Sequence, residues 1–279
     1  SVEKKKLKLT MAITGTMMIV EVIGGLLTNS LALISDAGHM FTHFFALTIS
    51  FAAIICASKE SCHHRTFGFY RVEILAALLN SLFLFVATFW ILAEGIKRII
   101  QPAPILGMQM FIIAVIGLLV NLASVFILHG TSKDDLNVKS AFLHMLGDTL
   151  SSIVIVIGAV IIYFTRWNVI DPLLSIGIAI VIFVWGWSLF KDSVNILLEA
   201  VPKGMDTDEI TKALLAEVPI IQEITDIHVW AITSKMYSMT AHVKLKQEMS
   251  REEEKEILTR IKQVADARFD IEHSTIEFD

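Results

Sequence analysis

The chain has 279 residues, 54% of them hydrophobic and only 18% charged, and its mean hydropathy is +0.66. Ordinary soluble domains carry about a quarter charged residues, so a wholly water-soluble protein is excluded. A formal net charge of −5 speaks against nucleic acid as a partner, and two cysteines, Cys56 and Cys62, cannot build a disulfide framework.

The apolar excess is confined to the part of the chain before Val201; beyond it the composition is that of a soluble protein rich in Lys, Glu and Asp. Two domains are expected, a transmembrane one over 1–200 and a soluble one over 201–279. A membrane span needs about 20 predominantly apolar residues. Six stretches qualify: Leu7 to Thr28, Leu31 to Ala57, Val72 to Ile96, Leu106 to Leu128, Ala141 to Phe164 and Val169 to Phe190. The first follows Lys4-Lys5-Lys6 without a small-residue cleavage pattern and is read as an anchor rather than a removable signal.

Loop charges set the expected orientation. With the N-terminus in the cytosol, that side holds Lys4, Lys5, Lys6, Lys8, Lys59, Arg65, Arg71, Lys133, Lys139 and Lys191, against only Lys97, Arg98 and Arg166 on the other. An even number of spans returns the C-terminal domain to the cytosol.

In the tail, Thr207 to Glu217 reads as a helix with Asp208 and Glu209 in its first turn. Ile224 to Thr233 and Tyr237 to Lys246 alternate as strands. Ser250 to Ala267 is a helix opened by a Ser250–Glu253 capping box, and Thr275 to Asp279 is a last short strand. The expected fold is therefore a membrane all-α six-helix bundle followed by a C-terminal α+β domain of order α-β-β-α-β, with two helices covering one face of the sheet.

Ionisable residues inside spans are functional candidates because the bilayer makes them costly. In the second span His39 and His43 stand four residues apart, on one helix face. In the fifth, His144 and Asp148 repeat that spacing. Two such pairs on two helices can converge as four ligands, and three imidazoles with one carboxylate in a tetrahedron suit zinc well and cobalt or nickel acceptably. A protease of the H-E-x-x-H type is disfavoured, since Met40 stands where its general-base Glu would be. Asp36 reads as a residue near the non-cytosolic mouth, either attracting cations or simply solvated. Glu21, Asn80 and Asn121 read as bonds between helices, and Glu73 and Glu94 as interfacial. Cys62, His63 and His64 form a further ligand-type triplet, although a local triplet cannot close a tetrahedron by itself. If residues 234–236 form a three-residue hairpin loop, His228 lies directly across from His242.

The run Asn29-Ser30-Leu31-Ala32-Leu33-Ile34-Ser35-Asp36-Ala37-Gly38-His39-Met40 resembles the signature of the cation diffusion facilitator family of zinc transporters. So do Thr66-Phe67-Gly68-Phe69-Tyr70-Arg71-Val72-Glu73-Ile74-Leu75-Ala76-Ala77-Leu78, the pair His144 and Asp148, and Asp226-Ile227-His228-Val229-Trp230. The resemblance covers essentially the whole chain. It implies a homodimer in a lipid membrane, a metallochaperone-like cytosolic domain, and metal–proton antiport out of the cytosol. It puts the transport site on His39, His43, His144 and Asp148. It also implies a cytosolic zinc site on His228, His242 and Asp279, with Glu277 or His273 as further candidates. The substrate it implies is zinc, with cobalt, cadmium, nickel, iron and manganese as alternatives.

One position departs from the pattern: zinc members carry Asp where this chain has His43. Three neutral imidazoles and one carboxylate leave a divalent ion's site at +1, which is costlier in a low-dielectric interior than a neutral one. Imidazoles titrate at about 6.5 when free, so they can also hold protons and release them to a metal. A rival reading is a membrane metal sensor or scaffold that binds metal without moving it. The segment between spans four and five, about Gly130 to Ser140, lacks a long His-rich insert, which by resemblance points to a bacterial inner-membrane protein.

Overall fold

The computed structural model describes residues 2–57, 66–128, 136–233 and 236–279. Among these residues six long helices come first: α1 (Val2–Thr28), α2 (Leu31–Ala57), α3 (Arg71–Ile100), α4 (Gly107–Leu128), α5 (Leu136–Thr165) and α6 (Ile170–Leu197). Among the described residues, α3, α4, α6 and the Leu146–Thr165 part of α5 are long and apolar enough to cross a membrane, and Ala12–Thr28 in α1 is a shorter apolar helix. The architecture is a membrane helical bundle followed by an α+β domain. Helix α2 has the bounds its hydropathy predicts, whereas α1 and α5 start five residues before their apolar stretches. Backbone hydrogen bonding continues through polar residues at a span's edge, so hydropathy alone misplaces such ends.

Packing divides the chain into two compact units, one of Ser1–Ile49 with Leu79–Ser188 and one of Ser50–Leu78 with Leu189–Asp279. In the first, the start of α2 sits between two apolar clusters. Ala32 and Leu33 pack with Met110 and Ala114 of α4 and with Ile155, Ala159 and Ile162 of α5. Leu31 packs with Ile91 of α3 and Ala179 of α6. Small residues let neighbours approach closely: a methyl group at Gly117 of α4 would stand 2.6 Å from the Glu21 carboxylate of α1.

The N-terminus of α2 is tied down by a residue from another helix. Asp171, fully buried in the first turn of α6, accepts from Ser30 Oγ at 2.6 Å, from the Leu31 amide at 2.8 Å and from the Ala32 amide at 3.2 Å. Ser30 Oγ in turn accepts from the Leu33 amide at 3.3 Å. The first three orphan N–H groups of the helix are thus satisfied, and an anionic group faces its positive end. Nearby, Asn29 adopts a left-handed conformation (φ 59°) between α1 and α2. Arg98 donates to its carbonyl at 2.6 Å and to its side-chain oxygen at 3.0 Å, and also to Glu94 at 2.9 Å. The interfacial role read for Glu94 therefore has a specific content, the aiming of Arg98 at this turn.

The second unit contains α7 (Thr207–Glu217), β1 (Ile221–Thr233), β2 (Met236–Leu245), α8 (Arg251–Phe269) and β3 (His273–Phe278). The sheet order is β1-β2-β3, with β1–β2 antiparallel and β2–β3 parallel. Parallel neighbours need a crossover, which α8 supplies. Its capping box is formed: the Glu253 carboxylate accepts from the Ser250 amide at 2.8 Å while Ser250 Oγ accepts from the Glu253 amide at 3.4 Å. That carboxylate, hydrogen-bonded to the Ser250 amide and hydroxyl, is held below the usual Glu range. Ile210 and Leu214 of α7, with Ile257, Ile261 and Val264 of α8, pack on Val229, Met239 and Val243 of the sheet. The alternation of β2 and β3 leaves His242, Glu277 and Asp279 on the opposite face. In the same unit Glu73 accepts from Thr233 Oγ1 at 2.6 Å, and Arg71 pairs with Glu199 at 2.8 Å.

The hairpin register differs from the one expected. Thr233 pairs with Met236 rather than with Tyr237, and irregularities between Thr225 and His228 and between Ala231 and Thr233 displace the ladder. His228 lies opposite Thr240, and His242 opposite Thr225. Asp226, left-handed at φ 49°, sits within the first irregularity, and an inserted residue of this kind shifts every pair beyond it.

Met239 is fully buried at the centre of this core. Met239→Ala should cost about 2–5 kcal/mol of local stability, read as faster amide hydrogen exchange in β1, β2 and α8.

Candidate metal centre

Helices α2 and α5 bring together two of the four residues predicted for the transport site, the two whose side chains the structure describes. His39 Nε2 lies 3.1 Å from Asp148 Oδ1, with His39 6% and Asp148 2% exposed. The backbone under His39 is fixed locally, its carbonyl accepting from Thr42 Oγ1 at 2.7 Å. Its ring meets the indole of Trp185 on α6, centroids 5.1 Å apart at 44°. The side chains of His43 and His144, on the same two helices, lie outside the described residues, as do Cys62, His63 and His64 altogether.

The 3.1 Å separation has a direct chemical reading. Ligand atoms at about 2.0–2.1 Å from a tetrahedral zinc stand about 3.3 Å from one another. A buried imidazole nitrogen and carboxylate oxygen at this distance can share a proton or, with a shift of a few tenths of an ångström, flank a metal ion.

A second polar pair lies one turn away. Asp36 accepts from Ser151 Oγ of α5 at 2.7 Å and is 3% exposed. The reading of Asp36 as a solvated residue at a mouth is therefore corrected, because α5 packs over it. Asn121 of α4 donates to Ser152 of α5 at 2.9 Å, the interhelical bond expected of it. Glu21 and Asn80 differ: both are buried, yet among the described residues Glu21 Oε2 and Asn80 Oδ1 have no hydrogen-bond partner. Glu21 lies within electrostatic reach of Asp36 and Asp148, so among the described residues three carboxyl groups share this region with the His39 imidazole. Sequence reasoning missed two residues here. Asp171 was overlooked because it stands at a span's edge, though an Asp before Pro172 at a helix start is a capping signal. Trp185 has no sequence signal, being one apolar residue among many on α6.

The C-terminal domain gathers a second group. His242, Glu277 and Asp279 can each offer one ligand atom, all within 4.8 Å of one another. His242 Nδ1 is 3.1 Å from Asp279 Oδ1, and His242 Nε2 is 3.9 Å from Glu277 Oε2. Parallel pairing creates the group, since His242 is the register partner of Glu277 and the Asp279 amide donates to the Val243 carbonyl at 3.1 Å. His228 and His273 are not brought into it. His228 bonds instead to Asp226 at 3.0 Å, a consequence of the shifted ladder. His273 pairs with Ser238 at the far end of β3, and its ring stands edge-on to Phe67 at 6.3 Å. The donor set of one imidazole and two carboxylates fits a divalent ion held at an exposed edge.

The sequence profile of the cation efflux transmembrane domain matches residues 7–198, and that of the cation efflux protein cytoplasmic domain matches 202–279. The chain belongs to the cation diffusion facilitator family. It is an integral membrane transporter, not an enzyme. Relatives include the metal cation efflux system protein CzcD of Cupriavidus metallidurans, 42% identical over 99% of this chain and 86% of that protein. The zinc transporter ZitB of Pectobacterium atrosepticum is 37% identical over 99% of this chain and 85% of its own length. The cadmium, cobalt and zinc/H(+)-K(+) antiporter of Bacillus subtilis is 36% identical over 99% and 89%.

The hydrogen bond and charge of Asp279, with Glu277 and Asp226 adding to them, push the His242 pKa above its ordinary 6.5. A raised folded-state pKa means that the protonated form is favoured; its contribution to stability is complete below the unfolded value and is lost as pH rises through the folded one. In metal-free protein, the NMR titration of His242 should lie above that of a free imidazole. Asp279→Asn should return it toward the ordinary value.

Proposed function

We propose that the protein exports divalent transition-metal ions from the cytosol in exchange for protons, with zinc as first substrate and cobalt and cadmium as alternatives. The site is His39, His43, His144 and Asp148. The functional division is a transmembrane domain over 1–200 and a cytosolic domain over 201–279, in a homodimer with both termini in the cytosol of a bacterium and the bundle in its inner membrane. The observation that carries the reading is the buried His39–Asp148 pair at 3.1 Å. Its two atoms are spaced for one proton or one metal, and the i,i+4 partners His43 and His144 follow on the same helices. Support for zinc and for proton coupling comes from the relatives, one named a zinc transporter and another an antiporter of cadmium, cobalt and zinc.

In the inward-facing state the ligands lose protons as the metal binds, because a coordinating nitrogen or oxygen must offer its lone pair. In the outward-facing state protons return to the same atoms and release the ion. Each ligand drives the change of state only through its different affinity for the two. His43 leaves the loaded site at +1 rather than neutral, which weakens metal in the dry interior relative to a two-His, two-Asp site. In the C-terminal domain, His242, Glu277 and Asp279 would hold an ion that favours one arrangement of the dimer.

Proteoliposomes with a trapped zinc dye and a trapped pH dye test the exchange. Zinc entry should accompany proton exit, and Asp148→Ala should reduce both at least about tenfold, more than the loss of an outer-shell partner. Zinc flux with no proton counter-flow would sink the coupling. A separate expectation follows from charge: His43→Asp should tighten zinc binding, measured by competition with a chelating dye, and unchanged affinity would remove the charge argument.

A further inference from the structure

Helix α6 supplies no ligand to the proposed site, yet it touches α2 at two places that fix the site's geometry. At its start, Asp171 holds the first turn of α2 through three hydrogen bonds. Fourteen residues later, Trp185 lays its indole against the His39 imidazole. Side chains on a helix lean toward its N-terminus, so Trp185 reaches back along α6 toward the level of His39. The helix that carries it is anchored on another side by aromatic packing: Phe183 lies 5.4 Å from Phe85 and 6.0 Å from Phe89 of α3, and Trp187 lies 6.2 Å from Phe85.

A ligating imidazole has two rotatable bonds, and an outer contact that fixes its ring plane keeps its lone pair aimed at the metal. At Asp148 that aim is already visible in the 3.1 Å contact. The imidazole cannot turn far from its 44° tilt to the indole without losing this contact. We infer that Trp185 is a positioning residue for the transport site, holding the His39 ring in the plane in which Nε2 meets Asp148, with Asp171 setting the height of α2 beneath it. The inference rests on the proposed role of His39 and Asp148 as ligands.

The test compares Trp185→Ala and Trp185→Phe in the full-length protein, with zinc affinity measured in detergent and KM and Vmax in proteoliposomes. Trp185→Ala should weaken zinc affinity and raise KM about tenfold, in the range of a lost outer-shell partner, with little change in Vmax. Trp185→Phe, which keeps a flat ring against His39, should recover most of the affinity and controls for a variant that fails to fold. In a His39→Ala background, Trp185→Ala should change the residual affinity no further, because the residue acts through the imidazole. Unchanged affinity in Trp185→Ala, or equal losses with and without His39, overturns the inference while leaving the ligand assignment standing. Zinc binding that is indifferent to Asp148→Ala overturns the ligand assignment, and this inference with it.

Discussion

Three donors at the start of α2 converge on one buried carboxylate, and the placement of the proposed metal centre depends on it. A helix beginning inside a membrane protein has N–H groups that neither water nor its own backbone can satisfy, and each would cost several kcal/mol if left bare. Asp171 meets them from a different helix, so its contribution is not only energetic. It fixes how far α2 stands along α6, and His39 rides two turns further on. A water-facing cap from the preceding loop would satisfy the same donors while leaving α2 free to slide. Arg98 reinforces the arrangement from α3 by binding both oxygens of Asn29 at the turn just before.

The site itself is a compromise between burial and charge. His39, Asp148, Asp36 and Glu21 are all nearly inaccessible, and no Lys or Arg is described beside them. Three carboxylates ionised together in a low-dielectric region repel one another strongly, so the region invites positive charge, either as protons or as a metal ion. Ser151 offers Asp36 one neutral hydrogen bond, which softens this need without removing it. Competition between protons and a divalent ion for one set of buried atoms is the physical basis on which the proposed exchange rests.

Much of this was readable from the chain, for reasons that differ by element. The helix bounded by Leu31 and Ala57 was legible because a polar turn at Asn29-Ser30 precedes a long, predominantly apolar run. The Ser250 capping box was legible because its chemistry is local, two side chains three residues apart. The His39–Asp148 meeting was legible because i,i+4 spacing declares a shared face. What escaped depends on contacts distant in sequence. Asp171 and Ser30 are 141 residues apart, and nothing near either names the other. The hairpin register escaped because Thr233 pairs with Met236 rather than Tyr237 and an irregularity between Ala231 and Thr233 moves the next pairs again, and the alternation of apolar residues does not record an inserted one.

The second ligand group owes its composition to the pairing of β2 with β3. Parallel register sets His242 beside Glu277, and the Asp279 amide on the Val243 carbonyl brings the last carboxylate to the same imidazole. His228 lies opposite Thr240 and bonds to Asp226 instead. An imidazole between Glu277 and Asp279 carries its proton more firmly than a free one. A metal ion arriving there must displace that proton while gaining two anionic ligands, so occupancy becomes sensitive to acidity as well as to metal concentration. Under the exchange proposed above, a surface group that weighs the same two species against each other is chemically suited to sense the balance that the buried site would alter.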